Sequence, residues 1–284
     1  MLLPVVVGAL ASFAFSFLWY GPVFGKKWMR LMNMSQGDIE NGKKSPYTYQ
    51  EIANTNNVEL RIDVLRNAVS ETISTAQSNA TTANTTNYQI SLYTMGLSSS
   101  NGKTYGLNQL QALSNNWSTL QTAASKIDLG PNNSGGTGDS YFSEPLNELR
   151  GKMLPGGDGT SAAKAKQFLF IITDGLRDVA GNCTSGHCTA AFDPSACTTF
   201  KSANITVAVI YTTYLPILKD PTSGSTTLES NYVALVQPYA AQIAPNLKSC
   251  ASPGWYAEAS DGPAIRAALA TMFGRTAQQA TLTF

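Results

Sequence analysis

The sequence predicts an α/β fold: a mostly parallel sheet with helices on both faces, preceded by one N-terminal transmembrane helix. The segment Lys166–Gly175 contains an unbroken apolar run from Phe168 to Ile172 and ends in turn residues. A short apolar run of this kind is typical of a strand that is buried on both faces of a parallel sheet. Similar strands alternate with amphipathic helical segments between residues 58 and 273, which indicates right-handed βαβ units.

The individual elements follow from the spacing of apolar residues. Within Tyr49–Ala80 they recur every three or four positions, which predicts a helix with one apolar face. Asn204–Tyr211 is rich in β-branched residues and predicts a second buried strand. Further strands are expected over Tyr88–Gly96, Gly254–Ala259 and Ala280–Phe284, and further helices over Leu107–Lys126, Phe142–Leu154, Asp193–Ser202, Tyr232–Leu247 and Pro263–Phe273.

Three of these helices carry start signals. Ser143, Asp193 and Asp261 each stand one or two residues before a proline. Short polar side chains accept a hydrogen bond from the free N–H groups of a first helical turn, and proline is tolerated there. We therefore expect these three residues to cap the helices that follow them.

The N-terminal 24 residues contain no charged side chain. About 20 helical residues span the hydrocarbon core of a bilayer, and Trp19 and Tyr20 stand where an aromatic belt is expected. This predicts one membrane helix, with a signal peptide or a buried core helix as alternatives. Lys26, Lys27 and Arg30 follow it, and the positive-inside rule would place them and the following domain in the cytoplasm.

Composition excludes several classes of function. The 284 residues carry a net charge of +1 and only 13% charged residues, so no nucleic-acid partner is expected. A single histidine argues against histidine-rich metal sites and most Ser-His-Asp catalysis, and we expect no enzyme. Arg61, Asp63 and Arg66 on the first predicted helix are expected to form a solvated face.

The cysteines indicate an oxidising compartment, which conflicts with the basic flank of the membrane helix. Four cysteines allow two disulfides in three possible pairings. Cys183 and Cys188 flank a short turn, so a local bridge would leave Cys197 to pair with Cys250. A zinc site of three cysteines and His187 is the alternative, although the paired C-x-x-C spacing is missing.

The end of the first buried strand carries the candidate functional residues. Asp174 follows this strand, and Asp139 and Ser140 lie in the loop before the preceding helix. Carboxylate and hydroxyl oxygens above a parallel sheet suit a hard divalent ion such as Mg²⁺. The alternative is that Asp174 caps the turn through Gly175.

Four segments resemble the C-terminal von Willebrand factor A-like domain of TadG-type proteins, which serve the tight-adherence pilus of bacteria. They are Glu59–Val69, Phe168–Asp178, Asp193–Ile217 and Cys250–Phe273. The resemblance covers residues 47–284. It implies a Rossmann-like A-type sheet, anchorage by one helix in the bacterial inner membrane, a periplasmic domain, and partners among pilus-assembly or surface proteins.

The resemblance also implies a cation site. In A-domains a D-x-S-x-S loop after the first strand, a threonine and a later aspartate hold a divalent cation. Asp174 matches the last aspartate, Ser140 is the nearest match to the threonine, and Asp139 stands beside it. No D-x-S-x-S motif occurs anywhere in the sequence, and no apolar strand precedes Tyr49, so the implied Mg²⁺ site is incomplete and the central first strand is missing.

The first 44 residues resemble a different family, the start of uncharacterised multi-pass bacterial membrane proteins with an LWYGP…FGKxWM pattern. The chain therefore divides into a membrane helix with its basic flank (1–35), a linker (36–46) and an A-domain-like domain (47–284), joined near Lys43–Pro46. The sequence favours an interaction protein of pilus assembly or adhesion. The alternatives are a structural exported domain without a metal site and, least favoured, an α/β hydrolase-like enzyme.

Overall fold

The computed structural model describes residues 59–82, 88–96, 106–127, 140–184, 186–219 and 226–281. The predicted membrane helix, the linker and Asp139 lie outside these residues. Within the described ranges, no helix has both the length and the apolar character needed to cross a bilayer.

A parallel sheet of three strands forms the centre of the described structure, in the order β3-β6-β7. Strand β3 (Gln167–Thr173) pairs with β6 (Ile205–Thr212) along its whole length without a bulge, and β6 pairs with the short β7 (Tyr256–Ala259). The side chains of β6 are almost continuously buried, as expected for a central parallel strand. The prediction of an α/β fold with a parallel sheet is confirmed.

The expectation that the sheet is mostly parallel is only partly right, because two antiparallel pairs accompany it. Strand β1 (Ile90–Gly96) pairs with β2 (Gly106–Ser114), and β4 (Leu176–Thr184) pairs with β5 (His187–Ala191). Neither pair is hydrogen-bonded to the parallel sheet within the described residues.

Strand β2 corrects the predicted helix over residues 107–126. Its leucines at three-residue spacing fit a helix, yet residues Gly106–Ser114 pair with β1, and the helix is confined to Trp117–Ala124. Leu113 is 58% exposed, so this leucine does not contribute to the apolar face that the spacing suggested. Long-range strand pairing overrides a weak local preference here.

The α-helices of the described residues match the predicted helices in number, but several of them begin or end at other residues than predicted. The strand predicted over Ala280–Phe284 is wrong for residues 280 and 281, because the last helix continues to Thr281. The α-helices are α1 (Arg61–Thr82), α2 (Trp117–Ala124), α3 (Ser143–Lys152), α4 (Thr198–Ser202), α5 (Gln237–Cys250) and α6 (Gly262–Thr281), with 3₁₀ turns at Ala162–Lys164 and Pro194–Cys197 and a π-helical turn at Tyr232–Val236.

Two of the three predicted caps form. Asp193 accepts a hydrogen bond from the Ser195 N–H at 2.9 Å, and Asp261 accepts one from the Ala264 N–H at 2.9 Å. Ser143 does not cap α3, because it is the first helical residue and Phe142 occupies the capping position without a side-chain bond.

Helices cover both faces of the parallel sheet. On one face, Val64 and Ala68 of α1 and Ile265 and Leu269 of α6 pack with Ile210 of β6. The other face packs against α3, α4 and α5 in a larger cluster. The helices leave the ends of the strands uncovered, and the loops that follow the C-terminal ends carry the candidate site.

Two disulfides involve all four cysteines. Cys197 and Cys250, both fully buried, join the 3₁₀ turn to the end of α5 with Cα atoms 5.2 Å apart. Cys183 and Cys188 bridge the tip of the β4–β5 hairpin, with Cα atoms 5.0 Å apart. Of the three possible pairings, this is the one in which the local Cys183–Cys188 bridge leaves Cys197 to pair with Cys250.

Candidate functional site

The candidate site lies at the C-terminal edge of the parallel sheet. Asp174 directly follows β3, Thr213 follows β6, and Ser260 follows β7. Helix α1 begins at the same edge with Arg61, which donates hydrogen bonds to the carbonyl oxygens of Thr213 at 3.0 Å and Ser260 at 3.2 Å. The carboxyl ends of parallel strands form the crevice in which open α/β sheets bind ligands.

Asp174 is a buried carboxyl group, with 8% of its surface exposed. Its Oδ1 accepts a hydrogen bond from the Leu176 N–H at 3.2 Å, which is the turn-capping role that the sequence offered as an alternative. Burial raises the pKa of Asp174 from 3.8 to about 6, against the opposing effects of the Leu176 N–H and the positive charge of Arg61. Asp174 therefore changes its charge close to neutral pH.

Gly175 shapes the turn that holds Asp174. It has φ of +72°, and a Cβ atom there would lie 2.7 Å from side-chain carbons of Ile243 and Leu247 on α5. Its N–H donates to Thr173 Oγ1 at 3.0 Å. Only glycine fits both the left-handed backbone and the contact with α5. The turn that follows Asp174 therefore packs closely against α5.

Ser140 lies beside the same loop. Its N–H donates to the Asp178 carbonyl oxygen at 2.6 Å in an isolated antiparallel bridge. This bond fixes the backbone of Ser140 to Asp178, which follows Asp174 by four positions in the chain. Its Oγ is buried and has no hydrogen-bond partner among the described residues. A buried hydroxyl without a partner costs free energy, so such a group requires an explanation.

Arg61, Asp63 and Arg66 correct the prediction of a solvated face. Arg61 ties α1 to two loops, as described above, and Asp63 accepts the Leu60 N–H at 3.1 Å. Arg66 forms an ion pair with Asp63 at 2.6 Å and donates from Nε to the Ile127 carbonyl oxygen at 2.6 Å. These charges fix α1 to its neighbours, which helical spacing alone does not show.

The negative charge of Asp174 acts on two tyrosines, Tyr211 and Tyr214. The Tyr214 N–H donates to the Tyr211 hydroxyl at 3.2 Å. Burial raises the pKa of Tyr214, and the negative charges of Asp174 and Asp178 raise it further. Burial also raises the pKa of Tyr211. Both phenols are neutral at physiological pH, as an ordinary tyrosine is.

Sequence reasoning missed an Asp–His pair on the β4–β5 hairpin. His187 Nδ1 lies 3.0 and 3.1 Å from the two carboxylate oxygens of Asp178. The hairpin register places Asp178 opposite Thr189 and leaves His187 two residues away on the adjacent strand. The only signal in the sequence was the position of His187 between the two cysteines of a short turn.

The structure thus places Asp174 at the C-terminal end of β3 and Ser140 beside Asp178 of β4, and Asp139 lies outside the described residues. In the described part of the chain, no three His, Cys, Asp or Glu side chains gather as a metal site. Of the predicted ligands, the Asp174 carboxylate accepts one described hydrogen bond and the Ser140 hydroxyl has no described partner, whereas the nearby Asp178 carboxylate is engaged by His187.

Comparison with protein families gives one match. The model of a family described as a protein of unknown function (DUF1761) matches residues 3–100. The match begins in the segment that resembles uncharacterised membrane proteins, and it continues past the predicted junction into α1 and β1. No curated protein matches the chain. The resemblance to TadG-type proteins stays a prediction.

Solved structures show distant likenesses. The pilus adhesin SpaC from Lactobacillus rhamnosus GG, in its open conformation, is 14% identical, with a TM-score of 0.49 over 79% of this chain and 28% of the adhesin. An aerotolerance-related membrane protein from Bacteroides fragilis NCTC 9343, with multiple mutations to serines, is 13% identical, with a TM-score of 0.43 over 76% of this chain and 89% of that protein. The chain spans less than a third of the adhesin.

Proposed function

We propose that this chain is a membrane-anchored, A-domain-like interaction protein that binds a pilus-assembly or surface protein at the C-terminal edge of its sheet. The observation that carries this proposal is that Asp174 is buried at this edge and that the buried Ser140, bonded through its N–H to Asp178, has an Oγ without a described partner. The order of the A-domain-like sequence motifs supports the same function.

A divalent cation is the ligand that a carboxylate and a hydroxyl of this kind would suit. Mg²⁺ is commonly held by one or two carboxylates, with waters completing its six ligands. Asp174 would supply the carboxylate and Ser140 the hydroxyl, which would then no longer be unpartnered. A bound cation would supply a positive charge to which an acidic group of the partner protein can bind.

Exposed apolar side chains near the site support a protein partner. The rings of Tyr214 and Tyr232 lie 6.2 Å apart, and the residues that follow them, Leu215 and Val233, are 45% and 43% exposed. Apolar side chains around a polar centre are typical of protein-binding surfaces.

Titration calorimetry with Mn²⁺ tests the proposal. We expect wild type to bind one ion at pH 7.5 and Asp174→Ala to lose at least ten-fold in affinity. Asp158→Ala is the matched control, because Asp158 is an exposed carboxylate in the turn before β3, bonded to Thr160. Ser140→Ala is expected to weaken binding to a smaller degree, since a neutral ligand contributes less than a carboxylate.

The alternative is a structural exported domain without a cation site. The observation that favours it is the hydrogen bond from Leu176 to Asp174, which already gives this carboxyl group a structural role. Absence of Mn²⁺ binding by wild type would reject the cation-dependent function and leave this alternative. Equal binding by wild type and Asp174→Ala would place any ion elsewhere.

A further inference from the structure

Among the described residues, the outer edge of β3 has no neighbouring strand. Val209 of β6 donates its N–H to the Trp255 carbonyl oxygen at 2.8 Å, and Thr213 donates to Ala259 at 3.0 Å. In a parallel sheet successive residues bond alternately to the two neighbouring strands. The odd residues of β6 therefore face β7 and its even residues face β3. Given the register of β3 and β6, the N–H and C=O groups of Phe168, Phe170 and Ile172 point to the outer edge of β3.

No strand pairs with that outer edge within the described residues. The edge also lacks the features that protect edge strands from pairing with other chains, namely charges, prolines, bulges or short length. Residues Gln167–Thr173 contain no charge and no proline, and their register with β6 is unbroken. The opposite edge strand, β7, has only four residues and carries the exposed Glu258.

The faces beside this edge are already covered. Phe168 and Phe170 pack against the cluster of α1 and α6, whereas Leu169 and Ile171 pack against the cluster of α3 and α5. The strand therefore lies between two helical layers, and only the hydrogen-bonding groups of its edge are left without a neighbour among the described residues.

The two layers also reach the β1–β2 hairpin. On one side Val69 of α1 packs against both the cluster of the parallel sheet and the cluster that contains Ile90 and Leu92 of β1. On the other side Tyr93 and Met95 of β1 pack against the same cluster as β3. Hairpin and parallel sheet thus share both helical layers, although no described backbone hydrogen bond joins them.

We infer that the edge of β3 binds an extended strand donated by another protein, about seven residues long, uncharged and apolar on both faces. Adding a strand to an open edge is an established mode of peptide recognition, in which main-chain bonds give affinity. The helical layers on both faces determine the apolar character, because a polar side chain buried there would lack partners.

The observations favour a donated strand over the chain's own preceding residues or a second copy. Helix α1 starts at the C-terminal edge of the sheet, where a parallel strand beside β3 would end, but residues 47–58, which lead into α1, include three Asn, one Gln and one Glu. Because helices cover both faces beside β3, a partner would reach this edge as an extended segment and not as a folded domain. The inference does not depend on a cation at Asp174.

A synthetic peptide tests the inference. The probe is the sequence of β6, Ile205–Tyr211, flanked by two lysines at each end for solubility and labelled for fluorescence anisotropy. This uncharged strand, apolar except for Thr206, already pairs with the inner edge of β3. The full chain, purified in mild detergent, is expected to bind it saturably. A peptide with proline at the central position is expected to bind at least ten-fold more weakly.

Two variants of one residue isolate the strand edge. Phe170→Pro removes an outward N–H without removing a bond to β6, and Phe170→Ala is the matched control for the lost ring. We expect peptide affinity to fall at least ten-fold in Phe170→Pro relative to Phe170→Ala, with circular dichroism showing both folded. Equal affinities would overturn the inference.

Hydrogen exchange on wild type gives a test that needs no variant. The peptide is expected to slow exchange of the Phe168, Phe170 and Ile172 amides and to leave Leu169 and Ile171 unchanged. Protection of the outer amides without peptide, lost on dilution, would assign the edge to a second copy. Protection lost only when residues 1–46 are deleted would assign it to the chain itself, and either result overturns a donated strand. The Mn²⁺ titration and this experiment fail independently.

Discussion

Asp174 is the residue whose chemistry is most altered by the fold. Its pKa rises from 3.8 to about 6 because the carboxyl group is buried. Between these values the folded protein binds more protons at Asp174 than the unfolded chain does. The free energy of unfolding therefore decreases as the pH rises from 4 to 6, and the loss, on the order of 3 kcal/mol, persists above pH 6.

Asp174→Asn tests this pH dependence. The amide keeps an oxygen for the Leu176 N–H and removes the buried charge. In EDTA, we expect the variant to be more stable than wild type at pH 7.5 and about equally stable at pH 4, as measured by urea unfolding. Asp158→Asn, at an exposed carboxylate, should leave the decrease between pH 4 and 6 intact. A wild-type stability that rises over this interval and is unaffected by Asp174→Asn would contradict the assignment.

Gly175 allows a second prediction at the residue scale. Gly175→Ala combines a positive φ with contacts at 2.7 Å to Ile243 and Leu247, and we expect it to cost about 3 kcal/mol of unfolding free energy. Gly186→Ala is the matched control, because Gly186 has φ of +83° and no atom within 4 Å of an added Cβ. It should cost about 1 kcal/mol. Equal losses would show that the contact with α5 contributes nothing.

At the scale of elements, the two disulfides differ in what they connect. The Cys197–Cys250 bond joins residues 53 positions apart, whereas Cys183–Cys188 joins residues five apart within one hairpin. In the loop-entropy model, removal of the first costs about 4 kcal/mol and removal of the second about 2 kcal/mol. We expect Cys197→Ala/Cys250→Ala to lower the denaturant midpoint more than Cys183→Ala/Cys188→Ala. The opposite order would contradict this account.

The elements also show where sequence patterns were sufficient. Strands β3 and β6 were predicted within a residue or two of their ends, because a continuous apolar run bounded by polar residues allows few alternatives. Strand β2 was predicted as part of a helix, since Leu110, Leu113, Trp117 and Leu120 recur at three- and four-residue spacing. The β4–β5 hairpin was not predicted, because its few apolar residues, Leu176 and Val179 among them, form no periodic pattern and each strand is defined by its pairing with the other.

At the scale of the whole molecule, the position of the domain relative to the membrane is open to experiment. If residues 1–35 form a membrane helix, the full chain is expected in the inner-membrane fraction, and deletion of residues 1–46 should release it. If the domain is periplasmic, its four cysteines should react with a thiol reagent only after reduction, because all four form disulfides. Four reactive thiols without reductant would place the domain in the cytoplasm.

The sequence by itself determined the α/β character, the two buried strands and Asp174 at the end of the first of them. These features depend on local hydrophobic patterns, which each segment carries within itself. The tertiary structure decided that Arg61 bonds to the loops after β6 and β7, that Asp178 pairs with His187, and that no strand of the described residues pairs with the outer edge of β3. Such features arise from contacts between residues distant in sequence or from strand register, and no local pattern specifies them.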